Sequence, residues 1–244
     1  MPESKDISYQ DLLKACQFYA QKEQRDYVYP GSITTLQNNF ENSSIMAKAI
    51  SDLLMIWHLN FYRFGMFSQN LLEQCIATKL PLIHEFRLLN IRKLSFADSE
   101  VGKIEDLFTG FLDSTAGKNA KFTRRSPTAV SKALNLLAPK CFPLWDEAIS
   151  QAYDCWWVYS DFGLLEYIKF MKLTKLQCIN IVTEYSKAYA INDLDLAEQR
   201  LLQECISISG TNYDRSLLKI IDEYNYATYT KQWFKTTNTN LALQ

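Results

Sequence analysis

Histidine is nearly absent from this 244-residue chain: His58 and His84 are the only two, and the six cysteines form no C-x-x-C pair. Structural zinc sites need clustered Cys and His ligands, so no metal centre is expected, and no motif asks for another cofactor. Glycine and proline are sparse, at seven and six residues. There is no glycine-rich phosphate loop, no H-E-x-x-H and no G-x-S-x-G, which removes nucleotide hydrolases, metalloproteases and α/β-hydrolases. Long apolar runs are missing too. The strongest, Leu53-Leu54-Met55-Ile56-Trp57, is broken by His58, Asn60 and Arg63, well short of the ~20 residues that span a bilayer. The N-terminal Met-Pro-Glu-Ser-Lys-Asp has no apolar core of the signal-peptide kind. The cysteines sit among apolar neighbours, as buried free thiols do in a reducing compartment. The expectation is a soluble, cytoplasmic protein with no membrane partner.

What is present is a globular composition, 48% apolar and 14% aromatic, with a net charge of -1. A pI near 6.2 excludes a polycation that grips nucleic acid over its whole surface, so any such site is a local patch. Alternating β-patterns are scarce, while apolar spacings of three and four recur. This predicts one all-α domain of about ten helices over residues 1–235, with room for two lobes meeting near 115–125, and a loose tail over 236–244.

The punctuation suggests the helices. Ser8 caps the first, and Arg25 to Ser32 reads as a loop by its Pro-Gly pair. A long helix follows Ser43 or Ser44 and ends near Gly65. Ser68 caps another, which Pro81 interrupts. Further helices are expected over Asp98–Leu112, over Pro127–Ala138 with Ser126 as N-cap, and after Asp146. Ser160 and Thr174 look like caps of two more, and the last two run around Leu194–Ile206 and Asp214–Tyr226.

The distribution of charge is uneven. Between Ser114 and Trp145 stand Lys118, Lys121, Arg124, Arg125, Lys132 and Lys140 without one acid, and Asp146 follows at once. Such a stretch suits a phosphate-bearing partner; a solvated loop before a buried helix is the plainer account. In the helix after Ser126, Val130, Leu134 and Leu137 mark an apolar face, with Lys132 and Asn135 on its flank. Pro139 and Pro143 stiffen the connection that returns Trp145 and Asp146 toward it. A lysine and an aspartate held this way can face one cavity. An amine nucleophile needs a lowered pKa and a carboxylate to manage protons.

The run Ser126-Pro-Thr-Ala-Val-Ser-Lys-Ala-Leu-Asn-Leu-Leu-Ala-Pro-Lys-Cys-Phe-Pro-Leu-Trp-Asp146 resembles the helix-hairpin-helix DNA glycosylase superfamily. It is most similar to the 8-oxoguanine DNA glycosylase-like bacterial branch, which includes genes accompanying antiphage defence systems. The resemblance implies an all-α fold of that type, DNA as partner, partner proteins of a defence operon, and attack on the sugar carbon of a damaged nucleotide. Lys132 matches the family's nucleophilic lysine by its place in the helix, and Asp146 its catalytic aspartate by following Phe-Pro-Leu-Trp. The segment Arg-Arg-Ser-Pro-Thr-Ala-Val lacks the family's hairpin glycines and its Lys132-to-Asp146 spacing is short, so phosphate contact falls to Lys121, Arg124, Arg125, Lys140 and the amides after Ser126. The alternative is a non-catalytic helical module that binds nucleic acid or protein.

Trp145, Trp156 and Trp157 are candidates to stack a flipped base, although aromatic clusters in helical proteins are mostly core. His84 reads as a lone, partly exposed histidine. Asp222 and Glu223 form a carboxylate pair that reads as a solvated helix face.

Overall fold

The computed structural model describes residues 6–155, 163–211 and 213–234, apart from the side chain of Arg25. Among these are eleven α-helices and one two-stranded ribbon. They are α1 (Tyr9–Lys22), α2 (Val28–Asn38), α3 (Ser43–Trp57), α4 (Leu59–Tyr62), α5 (Gln69–Arg87) and α6 (Asp98–Ser114). The ribbon β1 (Gly117–Lys118) and β2 (Thr123–Arg124) comes next. After it come α7 (Pro127–Leu137), α8 (Glu147–Ala152), α9 (Gly163–Ala188), α10 (Leu194–Ser209) and α11 (Leu217–Asn225), then a wider π turn over Tyr226–Thr230. No helix among the described residues is long and apolar enough to cross a membrane. Trp156, Trp157, the Ser160 cap and the tail from 236 lie outside the described residues.

Capping chemistry fixes several boundaries where the sequence suggests them. Ser8 and Asp11 form a reciprocal capping box, and Ser68 and Ser126 each accept from an amide of the first turn. Asn42, not Ser43 or Ser44, caps α3, and that helix stops at Trp57 rather than near Gly65.

Three expected breaks are not breaks. Pro30 stands third in α2, where its missing N–H would have had no intrahelical acceptor; the expected Pro-Gly loop is therefore helix from Val28. Pro81 lies inside α5. A mid-helix proline costs about 3 kcal/mol, but Ile83 and Phe86 beyond it are buried on the same stripe as Leu72 and Ile76. Burying two such side chains contributes about 1.5–3 kcal/mol each, and the helix continues. Thr174 is buried in the middle of the 26-residue α9, its hydroxyl donating to the Phe170 carbonyl at 2.9 Å; satisfied within the helix, it caps nothing.

One hydrophobic cluster runs from Ile7 to Ile221 and draws on helices both before and after residues 115–125. Helix α1 packs on α10 and α11, α3 on α2 and α5, and α6 on α5 and α7. Helix α7 sits at the centre. Of its eleven residues all but Lys132 are buried, as expected for a helix packed on every side. Asn135, placed on the flank by the sequence pattern, is fully buried. It accepts from Tyr29 Oη at 2.9 Å and donates to the Phe142 carbonyl at 2.8 Å, which is how a buried amide is tolerated.

The ribbon replaces the expected loop before α7 because a second segment supports it. The Lys118 amide donates to the Met66 carbonyl at 3.0 Å, and Gly65 and Gly117 meet backbone to backbone. A Cβ on Gly117 would lie 2.6 Å from the Gly65 oxygen. Gly117→Ala should therefore destabilise the fold by about 1–3 kcal/mol. Gly102→Ala, on an exposed face of α6 with nothing within 4 Å of the new methyl, should stabilise by about 0.5–1 kcal/mol. Urea unfolding of the two variants checks both signs.

Candidate functional site

Lys132 leaves the buried α7 beside Trp57. Its Nζ donates to the Trp57 carbonyl at 2.9 Å and lies 5.9 Å from the centre of the Trp57 ring. Asp146 is the N-cap of α8. Its Oδ1 accepts from the Ile149 amide at 2.9 Å and its Oδ2 from the Thr230 hydroxyl at 2.7 Å. Both residues line one pocket of about 50 Å³, together with Tyr19, Glu23, Trp57, Trp145, Asp222 and Tyr226. At ~10–15 Å³ per probe-sized site that is room for roughly three or four waters. The lysine and the aspartate singled out in the sequence thus converge.

Trp145 belongs to both core and pocket. It is 1% exposed, stacks on Phe170 with centroids 5.5 Å apart, and donates from Nε1 to the Pro127 carbonyl at 3.3 Å. It forms a wall, not a free stacking platform.

Asp222 and Glu223 correct the expectation of a solvated face. Glu223 is fully buried and accepts from Arg215 Nη1 at 2.8 Å. Asp222 opens onto the pocket. Behind it Lys219, 0% exposed, stands 3.2 Å from Asp26, 3.4 Å from Glu223 and 3.7 Å from Asp222. The rings of Tyr19, Tyr29 and Trp57 surround the ammonium, with centroids 4.4, 5.2 and 5.3 Å away. Burial works to lower the Lys219 pKa, but Asp26, the Tyr19 phenol and Glu223 reverse it, so the residue remains a cation. For Asp222, burial raises the pKa against Lys219, Asp146 and Glu223 raise it further, and Lys132 opposes them, leaving it at about 7. The pocket therefore holds a carboxyl that exchanges its proton near neutrality.

Only a faint signal for this cluster is present in the sequence. A lysine set between Leu217-Leu218 and Ile220-Ile221 has apolar neighbours on both sides, which a solvated helix face lacks.

At the N-terminus of α7, His58 Nε2 lies 2.8 Å from the Ser126 hydroxyl, which also accepts from the Ala129 amide. Burial, with Lys132 and Arg124 nearby, lowers the His58 pKa to about 3, so it is neutral at pH 7. Arg124 lies over the rings of Phe61 and Phe64 at 5.1 and 5.9 Å. Arg125 is exposed and pairs with Asp113 at 2.7 Å, and Lys121 is exposed at the ribbon's turn. Lys140 does not join them. It is exposed beyond the far end of α7, about 16 Å along an eleven-residue helix. His84 packs at the edge of Phe40, 5.9 Å between ring centres, away from the pocket residues.

A larger open hollow of about 570 Å³ along α2 and α3 is lined by Thr35, Lys48 and Asp52. Lys48 and Asp52 neutralise each other at 2.7 Å, and no convergent set of reactive groups stands there. Five of the six cysteines are buried and all are free, as their apolar neighbours suggested; no cluster of metal-ligating side chains occurs among the described residues. No protein-family model, characterised protein or solved structure matches the chain.

The Asp222 site makes a signed prediction. Its carboxyl holds a proton in the folded state up to about pH 7, whereas the unfolded chain loses it near pH 3.9. Between these values the folded state binds more protons, so this group's contribution to stability falls as pH rises. Asn cannot ionise. The melting temperature of Asp222→Asn relative to wild type should rise between pH 5 and pH 8, by several degrees for the roughly 2–3 kcal/mol that the wild type alone loses over that interval. Calorimetry at the two pH values checks this.

Proposed function

We propose that the protein is a DNA glycosylase-like enzyme, in keeping with the resemblance of residues 126–146, and that Lys132 is its nucleophile. The observation that carries this reading is the convergence of Lys132, Asp146 and Asp222 on one aromatic-walled pocket. In this reading the neutral Lys132 amine attacks the sugar carbon of a flipped nucleotide, and the bond to the base breaks as the new C–N bond forms. The base leaves with the bonding electron pair and takes a proton from a pocket acid. The amine's surplus proton passes to the ring oxygen as the sugar opens to an iminium. One proton must therefore come from the pocket, and a carboxyl that exchanges near pH 7 is suited to supply it. Asp146 is the carboxylate that faces the developing positive charge.

A second reading, a non-catalytic helical nucleic-acid-binding or protein-interaction module, is favoured by specific contacts. Lys132 already donates to the Trp57 carbonyl, both Asp146 oxygens are engaged, and the pocket has room for only a few waters.

Borohydride trapping on abasic and 8-oxoguanine DNA separates the two. Wild type should give a covalent adduct and Lys132→Gln none, while Lys132→Gln keeps most of its DNA affinity. No adduct with wild type removes the lyase step, and an adduct that survives Lys132→Gln removes the residue assignment. The phosphate contacts are tested apart from chemistry. Arg124→Ala/Arg125→Ala should weaken duplex binding across sequences and flatten the dependence of log K on log salt by roughly 0.9 per lost phosphate contact. Unchanged affinity and slope would mark the segment as a solvated loop.

A further inference from the structure

The ribbon does not stand alone. Residues 53–72 contain no acid, and neither do residues 114–145; the fold joins these two stretches edge to edge. The Lys118 amide bonds the Met66 carbonyl, and Gly65 and Gly117 are in backbone contact. Asn119 ties the two together: its Nδ2 donates to the Phe64 carbonyl at 2.6 Å, while its Oδ1 accepts from the Lys121 and Phe122 amides at 2.8 and 3.0 Å. One side chain thus bridges the backbones of Phe64 and Phe122.

On this joined surface four large apolar side chains stand in solvent: Leu59 at 46% exposure, Phe64 at 60%, Met66 at 50% and Phe122 at 43%. Exposed Arg63, Lys118 and Lys121 and half-buried Arg124 stand among them. None of these four cations has an acidic partner among the described residues, whereas Arg125 beside them is paired with Asp113. Folding gains nothing from leaving two phenylalanines exposed within a field of one sign; such a patch marks an interaction surface. Its two components fit one ligand chemistry. Cations spaced along a ribbon neutralise phosphates, and exposed aromatic rings between them offer faces on which bases stack. Bases paired inside a duplex are already stacked and do not present those faces.

We infer that segments 58–66 and 117–125 form a binding surface for unpaired nucleotides, with Phe64 and Phe122 as stacking platforms and Arg63, Lys118, Lys121 and Arg124 as phosphate contacts. This rests on the reading of the ribbon as a nucleic-acid contact but not on the pocket chemistry, and it names the strand state that the ribbon selects.

Fluorescence anisotropy with a labelled oligodeoxythymidine, a duplex of the same length, and phosphatidylserine vesicles tests it. The single strand should bind more tightly than the duplex. Phe64→Ala/Phe122→Ala should weaken single-strand binding by about tenfold or more and leave the salt slope unchanged. Lys118→Ala/Lys121→Ala should flatten that slope by roughly 0.7 per lost contact. Both aromatic positions are exposed, so the variants should fold. Phe64→Tyr/Phe122→Tyr should retain affinity, and Phe64→Leu/Phe122→Leu, apolar but without a ring, should lose it. Binding to duplex and single strand alike, indifferent to the phenylalanines, would overturn the inference and leave the ribbon's phosphate contacts standing. No binding to either would overturn both readings. Binding to vesicles in preference to oligonucleotides, lost in the leucine pair as in the alanine pair, would make the surface a membrane contact and overturn it too.

Discussion

The buried ammonium of Lys219 is the constraint around which the pocket is built. A cation out of reach of water is untenable without partners, and here Asp26 precedes α2 while Asp222 and Glu223 lie on α11 itself. Tyr19 of α1, Tyr29 of α2 and Trp57 of α3 close the sides. Satisfying one charge therefore requires four helices to converge, and removing its fully buried partner Glu223 costs about 3–5 kcal/mol. The carboxylate furthest from the ammonium is Asp222, and it is the one that borders the pocket. The proton-exchanging character of the pocket is a consequence of how the helices are held together.

Helix α7 supplies the other half. Enclosed on every side, it has one residue that is not buried, and that residue is Lys132. A helix so fixed gives a side chain little freedom of origin, which a positioned nucleophile and a structural lysine both need. The Trp57 residue connects the halves: its ring faces Lys219 and its carbonyl accepts from Lys132.

The parts of this arrangement legible in the sequence are those set by local chemistry. Ser8, Ser68, Ser126 and Asp146 declare helix starts through short-range capping. The spacing from Lys132 through the stiff Pro139–Pro143 connection to Asp146 brings two reactive groups toward one place. What escaped depends on residues far apart in the chain. Pro81 and Thr174 look like breaks until the burial of Ile83, Phe86 and the second half of α9 outweighs them. Asp222 and Glu223 look solvated because the groups that enclose them and their neighbour Lys219, namely Asp26, Tyr19, Tyr29 and Trp57, come from the distant N-terminal quarter of the chain. Nothing near residue 64 announces that it will meet residue 119; that contact exists because two glycines, fifty-two positions apart, allow backbones to touch.

The same geometry states what separates catalysis from simple binding. The π turn meets this site at two points: Tyr226 lines the pocket wall, and the Thr230 hydroxyl donates to Asp146 Oδ2. π turns are frequent at functional sites. An intramolecular hydrogen bond contributes about 0.5–1.5 kcal/mol net, no more than the ~1–3 kcal/mol of stacking one base on an aromatic ring. A ligand that both stacks against the pocket wall and restores a donor to Asp146 can displace Thr230 at little net cost. A ligand that only touches the ribbon has no means to do so. Access to Asp146 Oδ2 thus depends on a group that can take the place of the Thr230 hydroxyl.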